Sequence, residues 1–178
     1  MPSYGYDARR GFYLRDGGYY FAISDYMDLK ATGELYTKGS WGVDVSSHYD
    51  RRYKHRGSFS FNYQVYVTGE KNMPDYSKQK SFRIQWSHSQ DSKASPNSTF
   101  SASVNYSTSS YDKNAMSYLY DPSQYAQSTK TSSVSYSRSF PSIGLTLSTS
   151  ANVSMSSRDS SISMTLPDLT ITLARFYP

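Results

Sequence analysis

The chain has 178 residues, enough for one domain with a sizeable core, but only 37% of them are hydrophobic, below the roughly 45–50% of average soluble domains. Its formal net charge of +5 is compatible with an anionic partner such as nucleic acid or a membrane surface, although solubility explains so modest a charge more simply. The absence of cysteine excludes disulfides, zinc thiolates and cysteine nucleophiles, and no apolar run approaches the roughly 20 residues of a membrane-spanning helix.

Alternation of apolar and polar residues, which is typical of β-strands, runs along most of the chain. The alternating segments are, in chain order, 19–24, 27–36, 41–49, 57–67, 81–90, 98–111, 132–138, 144–155, 161–166 and 169–175. Turn residues separate them, and a longer loop is predicted at 112–130. Because apolar spacing never settles to three or four, no helix is predicted. The sequence therefore predicts an all-β fold, an antiparallel up-and-down meander of about eight to ten strands.

Residues 98–111, STFSASVNYSTSSY, show the alternation most clearly. Phe100, Ala102, Val104 and Tyr106 alternate with Ser and Asn, and no charged residue occurs. The wet face of a soluble β-sandwich usually carries Lys, Glu and Arg. In a transmembrane β-barrel, apolar residues face lipid and polar residues face the interior. On this pattern alone, a membrane barrel and a soluble all-β domain are equally good interpretations.

The same alternation assigns side chains of the later strands to two faces. In the barrel interpretation one face contacts lipid, and its predicted members are Phe82, Ile84, Trp86, Phe100, Val104, Tyr106, Leu145, Leu147 and Val153. The opposite face is predicted to be polar, and its members are Gln85, Ser87, Ser101, Ser103, Asn105, Thr146 and Ser148.

The densest basic cluster lies in the predicted turn DRRYKHR. Its Arg51, Arg52, Lys54 and Arg56 are candidate contacts for anionic lipid phosphates or lipid-A-type head groups, and a solvated hairpin tip is the simpler interpretation. Single-stranded nucleic acid would stack on exposed aromatics clustered across neighbouring strands. Here the aromatics follow the apolar side of the alternation, so no nucleic-acid partner is predicted.

Signals for catalysis are weak throughout the sequence. His48, His55 and His88 have no metal-ligand spacing, and Ser is too abundant for a catalytic triad to be inferred from Ser, His and Asp. A glycine-rich phosphate loop needs a following helix, which the sequence does not predict. We therefore predict no catalytic residue, cofactor or metal, and no enzyme.

Three long segments carry a resemblance to a known family. They are residues 17–63, which begin GGYYFAISDYMDLK, residues 81–111, which begin SFRIQWSHSQ, and residues 133–178, which begin SVSYSRSFPS. Together they resemble the lipopolysaccharide-assembly outer-membrane protein family, LptD, in its Bacteroidota type, from about Gly11 onward.

The resemblance implies a fold, a location and partners. Members of this family join a periplasmic jellyroll to a large barrel. Residues 1–17 would then be an irregular lead-in or the end of the jellyroll, and residues 18–178 the N-terminal part of the barrel. The chain would then form an open curved sheet with two free edges and incomplete activity of its own. The implied function is assembly and translocation of lipopolysaccharide at the bacterial outer membrane. The implied partners are outer-membrane lipids, lipopolysaccharide, a plug lipoprotein and periplasmic Lpt components.

Two alternatives to this assignment follow from the residues. A soluble or secreted all-β binding or adhesion module would fold without detergent, whereas a piece of a barrel would need it. A secreted Ser- and Tyr-rich structural protein would show internal repeats, and the sequence has no fixed period.

Orientation in a membrane is predicted differently by two arguments. The rule that long loops are extracellular places 69–80 and 112–130 outside. The resemblance implies entry from the periplasm near Gly18, and a strand count from there places the basic turn 50–56 outside. We expect the second arrangement.

Overall fold

A computed structural model describes residues 1–8, 10–108, 129–156 and 161–174, which form β-strands and turns. The ten strands of this part of the chain are β1 Ser3–Asp7, β2 Gly11–Ser24, β3 Met27–Tyr36, β4 Trp41–Arg51, β5 His55–Thr68, β6 Ser77–Gln90, β7 Ser98–Ser107, β8 Thr129–Phe140, β9 Leu145–Ser156 and β10 Ser161–Leu173. These residues include no helix long and apolar enough to cross a membrane.

All ten strands belong to one sheet, in the order in which they occur in the chain. Every neighbouring pair is antiparallel. Within the described residues, β1 and β10 each pair on one side only, so the sheet is open and has two free edges. The predicted all-β meander is confirmed, and so is the prediction that the first and last strands do not close on each other.

Residues 1–17, predicted as an irregular lead-in, contain β1 and the first half of β2. Tyr6 of β1 pairs with Phe12 of β2, and their rings meet edge to face with centroids 5.1 Å apart. A β-bulge between Leu14 and Gly17 shifts the register of β2 against β3. Because a bulge adds a residue to one strand, it breaks the period-two pattern that identifies a strand in the sequence.

The early start of the sheet affects two sequence-based expectations. Strand β2 already runs through Gly18, so the strand count that begins at this residue does not fix the orientation of the sheet. The division of the chain at residue 18 stays a prediction.

Of the predicted loop 112–130, only Thr129 and Lys130 lie within the described residues, and they begin β8.

The register of the strands confirms the two predicted faces. Ile84 pairs with Phe61 on one side and Tyr106 on the other, and Trp86 pairs in the same way with Phe59 and Val104. Continuing through Phe100–Tyr136 and Tyr136–Thr149 places the apolar residues of β9 on the same face. All nine residues predicted to share a face therefore do so, and the seven predicted polar partners lie on the other.

The sheet encloses almost no hydrophobic core. The buried hydrophobic residues of the described chain are Tyr36, Val65, Val67 and Ala102. In the middle of the sheet Trp41 is still 40% exposed and Tyr106 45% exposed. A soluble β-sandwich covers such a face with a second sheet about 10 Å away, and the described residues form only one sheet.

Candidate functional site: the apolar face and its rims

The apolar face is the side of the sheet that carries Phe82, Ile84 and Trp86. On β6 this apolar row is bounded by Lys80 at one end and His88 at the other. The eight residue-to-residue steps from Lys80 to His88 span about 27 Å at roughly 3.4 Å per step. A strand tilt of about 35–45° reduces this to a height of roughly 19–22 Å, close to the band of about 25 Å on the outside of membrane barrels.

An aromatic belt crosses one end of this face and consists of Tyr49, His55, Trp86, His88 and Phe100. The Tyr49 hydroxyl lies 2.8 Å from His88 Nδ1 and accepts a hydrogen bond of 3.1 Å from Trp86 Nε1. The His88 ring stacks on His55 at 5.7 Å and lies 5.5 Å from the Phe100 ring. Amphipathic rings whose polar atoms have partners are typical of membrane–water interfaces.

Gly57 allows the belt to form across three strands. Tyr49, Gly57 and His88 occupy one row on β4, β5 and β6. A Cβ atom at Gly57 would lie 2.2 Å from the Tyr49 hydroxyl oxygen, so the Tyr49 side chain lies over the space that a side chain at Gly57 would fill. The glycine thus lets the Tyr49 hydroxyl reach His88 and Trp86, 39 and 37 residues away.

The four basic residues predicted as head-group contacts meet at the same end of the sheet. This basic rim consists of Arg51, Arg52, Lys54 and Arg56, all of which are exposed. Arg51 lies over the Tyr26 ring, with Cζ 5.9 Å from the ring centroid. Arg51 pairs with His55 of the belt, so the rim adjoins the aromatic belt. Arg56 pairs with Asp50 and Ser89 and lies on the polar side of this end.

The opposite end of the sheet is basic too, and its exposed cations in the described part of the chain are lysines. We call it the lysine rim, and it consists of Lys38, Lys71, Lys78 and Lys80. Arg10 also lies at this end, where it is buried and lies over the Tyr36 and Tyr66 rings at 5.2 and 4.3 Å.

The polar face carries a charged network on β2–β5. Glu34 accepts hydrogen bonds from Gln64 Nε2 at 3.1 Å and from the Tyr36 hydroxyl at 3.3 Å, and Arg15 Nε lies 3.5 Å from Glu34 Oε2. Asn62 Nδ2 donates to Asp44 Oδ2 at 3.1 Å. The sequence-based assignment of small uncharged residues to this face covered only the later strands, so the network was not predicted. The signal was present in β3, where Asp28, Lys30 and Glu34 lie in phase with the polar positions.

On β7–β10 the polar face is nearly neutral. Ser101 and Ser135 are joined by a side-chain hydrogen bond of 2.6 Å. In the described part of these four strands, Asp168 is the only charged residue at a polar-face position. The polar face thus has a charged zone on β2–β5 and a nearly neutral zone on β7–β10.

The histidines lie on different faces. His48 lies on the polar face, where its Nδ1 is 3.6 Å from Asp28 Oδ1, whereas His55 and His88 belong to the aromatic belt. The described residues include no group of three or more His, Cys, Asp or Glu that could hold a metal ion.

The family model described as LptD protein matches residues 1–178 of this sequence. The chain belongs to the LptD protein family. No curated protein and no solved structure matches it. Membership confirms the resemblance of the three quoted segments to this family. LptD proteins are outer-membrane β-barrels that transport and assemble lipopolysaccharide, and the open all-β meander fits part of such a barrel.

Proposed function

We propose that this LptD-family chain forms part of the wall of an outer-membrane barrel that moves lipopolysaccharide to the outer leaflet. The observation that carries the proposal is the uncovered apolar face, which ends in the aromatic belt and basic rim on one side and the lysine rim on the other. Large exposed apolar surfaces with polar borders mark contact with lipid or another protein.

The two faces have separate roles in this proposal. The nine predicted apolar residues contact hydrocarbon, and the aromatic belt lies at the border between hydrocarbon and head groups. The polar face lines the interior, through which a glycolipid with a polar head would pass.

Several features of the assembly also belong to the proposal. Further strands would pair with the free edges of β1 and β10, because a sheet edge in lipid would leave backbone groups without hydrogen bonds. A plug lipoprotein and periplasmic Lpt components would act with the complete barrel, and the chain would contribute to transport rather than carry out a reaction.

A pair of arginine substitutions on neighbouring residues of β7 tests the lipid-facing assignment. Val104→Arg on the apolar face is expected to cost about 2–4 kcal/mol near the membrane midplane. Asn105→Arg on the polar face is the matched control, and its cost should be much smaller. The measurement is the amount of heat-modifiable, folded protein in the outer-membrane fraction of cells.

Equal insertion of the two variants would contradict the proposal. Folding of the unmodified protein in buffer without detergent would favour the soluble binding or adhesion module instead.

A further inference from the structure

We propose that the basic rim binds the phosphate monoesters of a phosphorylated glycolipid through Arg51, Arg52 and Arg56. The inference rests on the proposed function, since the rim meets lipid head groups only if the apolar face spans the membrane. It adds to that function a binding site for the phosphates of the glycolipid and the residues that form it.

The first argument is the distribution of arginine and lysine between the two rims. Arg51, Arg52 and Arg56 cluster at one end of the sheet, and Arg138 of β8 lies at the same end. Among the residues that the structure describes, the exposed cations at the lysine rim are all lysines. Arginine presents a planar fork that binds two phosphate oxygens at once, whereas lysine acts as a point charge. The two ends therefore differ in how they bind phosphate although both are basic.

The second argument is that the side chains of the basic rim are not already bonded to other groups of the protein. In the described part of the chain, the side chains of Arg51, Arg52, Lys54 and Arg56 take part in no hydrogen bond or ion pair, and Arg51 makes a ring contact with Tyr26. Their guanidinium and ammonium groups are thus available to a ligand.

Two acids lie beside these cations and form no ion pair with them. A groove at this rim is lined by Arg51, Arg52 and Arg56 together with Asp50 and Asp91. Asp50 pairs with Arg56 across the strands without an ion pair, and Asp91 accepts a backbone hydrogen bond of 2.9 Å from Lys93. The groove keeps a positive excess.

The third argument is that the backbone of the rim is fixed before a ligand arrives. The Asp50 amide donates to the Tyr26 carbonyl, the Lys54 amide to the Arg51 carbonyl and the Asp91 amide to the Lys54 carbonyl, each at 2.9 Å. Three successive turns are thereby joined side by side. Binding then orders side chains only, which lowers its entropic cost.

The position of the rim selects a lipid as the source of phosphate. Tyr26 and Tyr53 are 55% and 61% exposed and lie in turns at the same end of the sheet as the arginines. Tyrosine is enriched at head-group depth, which is where lipid phosphates are located. A phosphate monoester carries more negative charge than the phosphodiester of a phospholipid, so several arginines favour the monoester.

The test is a titration of the purified, detergent-solubilised protein with fluorescently labelled bis-phosphorylated lipid A, followed by anisotropy. Replacing Arg51, Arg52 and Arg56 by Gln should weaken binding roughly tenfold, as expected for the loss of three exposed ion pairs. Replacing them by Lys should restore only part of the affinity. The matched control replaces Lys38, Lys71 and Lys78 by Gln, which removes the same charge from the lysine rim and should change the affinity less than about twofold.

Four outcomes would overturn the inference. They are equal binding of dephosphorylated lipid A, equal binding of phosphatidylglycerol at matched charge, equal loss of affinity in the lysine-rim control, and displacement of lipid A by millimolar inorganic phosphate, which would indicate a site for free phosphate. If any one of these outcomes occurs while Val104→Arg still blocks insertion, the inference fails and the proposed function stands.

Discussion

At the scale of single residues, a glycine, which has no side chain, allows the aromatic belt to form. Tyr49 and His88 are two strands apart, and their hydrogen bond of 2.8 Å forms across Gly57. The hydroxyl of a tyrosine on a lipid-facing surface needs a partner within the protein, and His88 and Trp86 provide it. Gly57 is therefore as much a part of the belt as its aromatic members.

Replacing Gly57 by Ala tests this interpretation. The new Cβ would lie 2.2 Å from the Tyr49 hydroxyl oxygen and 2.5 Å from the Ser87 carbonyl oxygen, so both the side chain and the backbone of neighbouring strands must move. We expect a loss of about 1–3 kcal/mol in the free energy of unfolding, as for overpacked sites. The measurement is urea-induced unfolding in detergent micelles or vesicles.

Gly17→Ala is the control for this substitution. A Cβ at Gly17 would meet nothing within 4 Å, so its effect should remain within about 0.5 kcal/mol. Equal destabilisation by the two substitutions would show that loss of glycine in a strand, and not contact with Tyr49, is responsible.

At the scale of elements, the seam between β7 and β8 differs from its neighbours. Their backbone pairing covers only Ser98–Ser103 against Ser133–Arg138. Beyond this point the Ser132 hydroxyl bridges the strands, accepting from the Asn105 amide at 3.0 Å and donating to its carbonyl at 3.2 Å. Further along, Lys130 Nζ donates to Ser107 Oγ, and both residues are buried.

The strands on either side of this seam stay paired. Strand β7 continues along β6, where the Thr108 amide donates to the Phe82 carbonyl at 3.0 Å, and β8 pairs with β9 from Thr129 to Phe140. Between β7 and β8, beyond Ser103 and Ser133, side-chain hydrogen bonds therefore replace the backbone ladder, while the neighbouring strand pairs remain regular.

Ser132→Ala should weaken this seam. The Asn105 amide would lose its acceptor, and since one hydrogen bond contributes about 0.5–1.5 kcal/mol, its exchange should accelerate roughly 2- to 12-fold. Hydrogen–deuterium exchange of peptides that contain Asn105 measures this change.

Ser135→Ala is the matched control for the seam. Its hydroxyl bonds the Ser101 hydroxyl, while its backbone belongs to the regular ladder, so exchange at Asn105 should not change. Equal acceleration in both variants would contradict a special role of Ser132.

At the scale of the whole molecule, the sheet depends on its surroundings. Its apolar face has no second layer in the described residues. In the proposed barrel, lipid would supply the apolar contacts that a core supplies in a soluble domain. The basic and lysine rims lie at opposite ends of the strands and would face opposite sides of the membrane. If the basic rim binds a phosphorylated glycolipid, it belongs to the outer leaflet.

Single cysteines test this orientation, because the natural sequence has none. Ser92, in the turn beside the basic rim, and Ser77, at the start of β6, are both exposed. In intact cells, a membrane-impermeant thiol reagent should label Ser92→Cys and not Ser77→Cys. Labelling at Ser77 alone would reverse the orientation and place the basic rim in the periplasm.

The sequence by itself determined the fold class and the two faces. Alternation is a local property, because successive side chains of a strand point to opposite faces whatever the strand pairs with. Phe100, Val104 and Tyr106 could therefore be assigned to one face before any partner was known. The basic turn could be located for the same reason, since its members are adjacent in the chain. The local pattern failed at β1 and β2, where the bulge between Leu14 and Gly17 interrupts the alternation.

Only the tertiary structure decided which distant residues meet. The bond from Tyr49 to His88 joins residues 39 apart, and the bond from Gln64 to Glu34 joins residues 30 apart. Such contacts depend on the register of several strands together, and a shift of one residue would move every side chain to the other face. The aromatic belt, the charged network and the bridge at Ser132 could not be derived from alternation. Alternation specifies the face on which each side chain lies, but it does not specify which residue of the neighbouring strand lies beside it.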